Sequence, residues 1–167
     1  MKPSGLVKSI ESLDVHRLCS LLLELAALRE ENAVWLQGKL GGKSAVPEVL
    51  LHYKKRIRHA FLMEPINLRG AKQTIQEFKR LCDASEHVLD LMVFYIETGT
   101  KIENGYGDLY DSFYSSMETI FKNIVALLNK QTHLIATFKP RLVRIIELSN
   151  EGWGHRETLE EIYEHLK

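Results

Sequence analysis

The sequence predicts an all-α protein of about eight helices in antiparallel hairpins, forming a compact HEAT-like array or an irregular bundle. Three observations lead there. Apolar residues recur at steps of three and four along nearly the whole chain, and no stretch shows the two-residue alternation of a half-buried strand. Glycine and proline fall between these blocks, at Gly41-Gly42, Pro65, Gly99 and the turn 152–154, which reads as short connections. A basic-apolar segment followed by a more acidic one recurs at 69–99 and 138–166, as stacked helical hairpins produce.

After a short N-terminal turn, Asp14 is placed to cap a helix to about residue 29, its carboxylate meeting the first free amides. Leu18, Leu21, Leu22, Leu25 and Leu28 form its apolar stripe, widened by Cys19 and Leu23. A second helix, 31–40, carries Val34, Trp35 and Leu36 and stops at Gly41-Gly42. Pro47 opens a third, since a proline in the first turn loses no hydrogen bond. There Leu50, Tyr53, Ile57, Ala60 and Phe61 share one face, and Lys54, Lys55, Arg56 and Arg58 fill the rest. The fourth, 69–82, buries Ile75, Phe78 and Leu81.

Ser85 caps the fifth helix, which stops at Gly99. Only Asp90 is charged between residues 88 and 96, so protein covers this helix on most sides and it is central. The longest helix, 108–129, begins with Asp108 and Asp111, acids that suit the helix dipole. Its stripe runs through Leu109, Phe113, Met117, Ile120, Phe121, Ile124, Leu127 and Leu128. Pro140 either stands in the first turn of a helix capped by Thr137 or kinks one running 132–149, with Leu142, Ile145 and Ile146 inward. The last helix, 155–166, buries Leu159, Ile162, Tyr163 and Leu166.

The 167 residues, 45% hydrophobic and 26% charged, read as one soluble helical domain over 1–167 with no separating linker. The longest apolar run, 91–96, is far too short to cross a bilayer. Cys19 and Cys82 each sit in an apolar helical pattern, which predicts two buried free thiols and a reducing, cytoplasmic setting. The charges sum to zero but alternate in blocks: 52–80 is strongly basic, 81–120 strongly acidic, 121–144 basic again and 145–167 acidic. Such blocks favour neighbouring helices with complementary faces or head-to-tail association, with a protein partner or as a homo-oligomer, and argue against one large nucleic-acid surface.

Few residues carry a chemical signal. Gly152-Trp153-Gly154-His155 precedes a helix N-terminus, yet it lacks the lysine and preceding strand of a phosphate loop. The plainer reading is a tight turn plugged by Trp153. Tyr106, Tyr110 and Tyr114 recur at spacing four and, with Asp108, Trp153 and His155, are the best candidates to line a pocket for an aromatic or cationic ligand. Asp90 and Glu97 on an apolar helix need cations, and Arg69, Lys72 and Arg80 on the preceding helix have the right sign. His52 with His59, and Glu161 with His165, share helix faces but make no set of three or four ligands, so neither a metal nor a cofactor is expected. No activated serine or cysteine is visible, which leaves no catalytic residues to name.

The segments "AKQTIQEFKRL", "MVFYIETG", "YGDLYDSFYSSME" and "GWGHRETLEEIY" resemble those of an all-helical bacterial protein family of unknown function. Glu157 stands where that pattern would carry an aspartate. The resemblance implies a helical fold and a bacterial origin, and no reaction. The residues thus lead to a non-enzymatic helical interaction module. The alternatives are a small-molecule binder or enzyme using 103–114 with the turn 152–155, and a nucleic-acid binder using 52–80.

Overall fold

A computed structural model of the chain describes residues 4–107, 109–150 and 154–167, the side chains of Ser4 and Lys43 apart. Asp108, Gly152 and Trp153 lie outside the described residues. The fold is all-α. Where the sequence reads as one domain, packing separates two compact units, Met1–Val49 and Leu50–Lys167. The boundary falls inside a helix, so no change of composition announces it.

The first unit holds α1 (Ser4–Glu11), α2 (Val15–Leu28), α3 (Glu30–Leu40) and the start of α4 (Gly42–Phe61). Asp14 caps α2 as predicted, its carboxylate accepting the Arg17 N–H at 2.9 Å. The second and third helices pack together, and Asn32 Nδ2 donates to the Leu25 carbonyl at 2.8 Å. Gln37 Nε2 ties α3 to Glu48 at 2.6 Å. The start of α4 precedes Pro47, which is its sixth residue rather than its first; a proline there forfeits a single amide bond. Neither α2 nor α3 buries a single side chain. Leu18, Leu21 and Leu22 are half-buried, while Val15, Leu23 and Leu28 stay 73%, 72% and 74% exposed. Cys19 is also exposed, and Cys82 only half-buried, which corrects the prediction of buried thiols; both are free.

The second unit takes the rest of α4 with α5 (Leu68–Leu81), α6 (Ser85–Tyr106), α7 (Asp111–Lys130), a 3-10 turn (Thr132–Leu134), α8 (Ile135–Leu148) and α9 (His155–Glu164). Here most of the predicted stripes are buried: Tyr53, Ile57 and Phe61 on α4, Ile75 and Phe78 on α5, Phe113, Met117, Phe121 and Ile124 on α7, and Leu142, Ile145 and Ile146 on α8. Leu109, Leu127, Ile162, Tyr163 and Leu166, also expected inside, are only half-buried, and Leu159 alone of the last stripe is enclosed. α6 packs against α5, α7 and α8, the central place its apolar run predicts. Its Tyr95 hydroxyl lies 2.7 Å from Ser116 Oγ, and burial pushes that phenol up to about 12.

Several boundaries differ from the sequence reading. α7 starts at Asp111 behind Tyr110 rather than at 108, which leaves α6, with 22 residues, longer than α7, with 20. Ala84, not Ser85, stands at the N-cap of α6, and no side chain caps it. That helix does not stop at Gly99 but runs to Tyr106, where Gly107 at φ +80° turns the chain. Gly99 is instead a packing residue: a Cβ there would collide with the Met117 thioether and come within 3.3 Å of Phe61. Pro140 neither opens nor breaks α8; it is the sixth residue of a helix whose entry is the 3-10 turn, and it denies the Ala136 carbonyl an amide donor. No described helix is long and apolar enough to cross a membrane.

Candidate functional site

The strongest polar cluster in the second unit joins three helices. Asp90 on α6 accepts Lys54 Nζ from α4 at 2.7 Å and Arg141 from α8 at 2.6 Å. Arg141 also grips Glu97, one turn pair further along α6, with Nε at 2.7 Å and a second guanidinium nitrogen at 2.8 Å. Burial alone would raise the Asp90 carboxyl, but hydrogen bonds and charge from Lys54 and Arg141 outweigh it and hold the group below its ordinary value. The cations therefore come from α4 and α8, whereas the sequence pointed to Arg69, Lys72 and Arg80, which stand at exposed positions of α5. Residues 36 and 51 positions away carry no local signal, so spacing alone favours the nearer basic helix.

The same contacts bear on the basic stretch. Arg56 reaches Glu77 at 2.7 Å, and the Arg58 guanidinium lies 5.6 Å from the Phe94 ring. With Lys54 on Asp90, much of the α4 charge faces carboxylates or rings of its own unit, leaving less for phosphates than the composition suggests.

The tyrosine candidates part company. Tyr106 and Tyr110, 77% and 45% exposed, line a cleft of about 260 Å³ with Ile102, Leu109 and the loop holding Met63, Glu64 and Pro65. Tyr114 turns inward instead. Its ring lies 4.9 Å from that of His155, and its hydroxyl accepts the Leu109 N–H at 3.2 Å. His155 is buried at the start of α9, after Gly154 at φ +73°, a left-handed angle that glycine adopts without a Cβ clash. Its Nδ1–H donates to Glu118 on α7 at 2.9 Å. His155 thus anchors α9 to α7. Asp108 and Trp153, the other two pocket candidates, fall outside the described residues.

No family model, curated protein or solved structure matches this chain. Its function is read from its own residues.

Among the described residues, no group of three or more His, Cys, Asp or Glu side chains could hold a metal ion. The sequence reading missed the polar residues beyond Gly99, because it ended the helix there. Thr100 and Glu103 are buried on α6. The signal available was the unbroken run Leu89, Met92, Ile96, Gly99, Glu103, whose steps of three and four pass straight through the glycine.

Proposed function

We propose that the chain is a non-enzymatic helical interaction module whose first unit pairs with a second copy of itself, in a bacterial, cytoplasmic setting. One observation carries the reading. The polar residues of α2, His16, Arg17, Ser20 and Glu24, fill a single arc, so apolar side chains occupy most of its circumference, yet it buries none of them. α3 leaves part of that surface open: Val15, Cys19 and Leu23 form an exposed row at steps of four, and Leu25 and Leu28 are exposed as well.

A second copy suits this surface. Residues 1–49 carry six basic and six acidic side chains, so two copies meet without net repulsion. Arg17 and Glu24 already meet within α2 at 3.6 Å, so its polar edge brings no uncompensated charge to a two-fold pair of α2 helices. The free cysteines fit a reducing compartment.

Sedimentation equilibrium of the full chain tests this. The expected mass rises with concentration from 19.2 kDa towards twice that value. Leu23→Glu, at an exposed position, weakens association at least ~10-fold while helicity is retained. A wild-type mass fixed at that of the single chain would end the reading.

A second reading attaches to the cleft at Tyr106 and Tyr110. Two exposed tyrosines beside Glu64, in a chain whose 81–120 segment is strongly acidic, suit a small aromatic cation. Titration with benzyltrimethylammonium, followed by tyrosine ring resonances, is expected to saturate. Tyr110→Ala should weaken it ~10-fold, about 1.4 kcal/mol. Equal binding by the variant would remove the cleft from consideration.

A further inference from the structure

A second cleft, of about 310 Å³, lies between α6 and α8 of the second unit. It holds a group that packing leaves incomplete. Thr100 lines it, 2% exposed, and its Oγ1 has no hydrogen-bond partner among the described residues. A buried hydroxyl without a partner is destabilising, and natural cores rarely keep one without a reason.

The charges around it are asymmetric. Among the described residues Glu97 is the only acid in the lining, and Arg141 grips both its oxygens at 2.7 and 2.8 Å, so its charge is already answered. Lys101 and Arg144 add two cations at exposed positions. Among the described residues, Arg144 is held only by a 3.5 Å contact to Glu147 in which both side chains are largely exposed, a weak tie. Asn104 Nδ2 is occupied, donating to the Leu148 carbonyl at 2.9 Å across the cleft from α6 to α8. Ile145 and Leu148 supply an apolar wall.

We propose that this cleft binds a small monocarboxylate with a short apolar tail. The carboxylate accepts from the Thr100 hydroxyl and lies against Arg144 and Lys101, and the tail packs on Ile145 and Leu148. A single negative charge suits a site where Glu97 remains close, since a dianion would meet its carboxylate as well as the cations. The volume is at the small end for ligand sites, which favours a short chain. The proposal does not depend on self-association, because every residue it uses belongs to the second unit.

Calorimetric titration of the full chain with sodium hexanoate tests it, with hexanol and inorganic phosphate as comparisons. Hexanoate is expected to saturate at one site per chain, with hexanol and phosphate each at least ~10-fold weaker. Thr100→Val keeps the shape and removes the hydroxyl; it should weaken hexanoate ~5-fold while raising the melting temperature of the ligand-free protein. Arg144→Gln should weaken hexanoate ~10-fold with the melting temperature unchanged. No hexanoate binding, equal binding of hexanol or phosphate, or undiminished affinity in Thr100→Val would each overturn the proposal.

Discussion

Replacing Arg141 by methionine is expected to cost the protein about 2–3 kcal/mol of stability at neutral pH. Methionine preserves much of the side-chain bulk, so the loss comes from charge rather than from a cavity. Glu97 then has neither of the two guanidinium bonds it accepts from Arg141, and Asp90 keeps only Lys54. The figure lies at the lower end for broken ion pairs, because the Arg141, Asp90 and Glu97 side chains remain 31%, 24% and 30% exposed and water relieves part of the loss. Adding Glu97→Gln to Arg141→Met should recover about 1 kcal/mol, since the uncompensated carboxylate is then gone. The pH dependence has a definite sign. Asp90 is held below its ordinary carboxyl value, so its contribution is complete above an unfolded pKa of about 3.9 and disappears as pH falls through the lower folded value. Urea unfolding of wild type and Asp90→Asn at pH 7, 4 and 2.5 should show their gap closing only at the acid end. A gap independent of pH would mean that the carboxylate is solvated and unimportant.

Gly99→Leu is expected to be at least as damaging, about 3 kcal/mol. The position is fully enclosed between Met117 and Phe61, and the first added carbon already requires the methionine thioether to move. Helix propensity argues the other way, since glycine inside a helix costs about 1 kcal/mol relative to alanine. Close packing outweighs propensity here because Met117 is itself wholly buried and has no solvent to retreat into. Combining Gly99→Leu with Met117→Ala distinguishes the mechanism. If the clash is responsible, the double variant loses less than the two single losses added together, because the new side chain fills the space the methionine vacated. Additive losses would point to a backbone effect instead.

These two positions also mark where the sequence was legible. At Asp90 and Glu97, the need for cations could be read from two carboxylates on an apolar helix, but their suppliers could not. Lys54 and Arg141 come from helices far along the chain, and only the packing of α4 and α8 on α6 brings them there. At Gly99, the residue type was read through its habit of ending helices. Its use as a thin spot for close approach depends on which side chains face it, which no local pattern records. The tyrosines at spacing four looked like one group. Tyr110 immediately precedes α7 and stays at the surface, whereas Tyr114, one turn inside it, points towards α9, so the spacing of four did not hold them on one face.

The sequence by itself determined the class of the fold, the order of the main helices and most of the large apolar side chains that the second unit buries, though not Val125, Leu134 or Phe138. Those follow from apolar periodicity, which depends on a helix's own repeat and on the need to remove one face from water. Only the tertiary structure decided which carboxylate meets which cation, that the leucine-rich α2 buries no side chain despite its stripe, and that Thr100 lies in a cleft with its hydroxyl unanswered. A stripe states that a helix wants cover. Whether the same unit supplies that cover depends on the size and angle of its neighbours, and these are properties of the packed molecule.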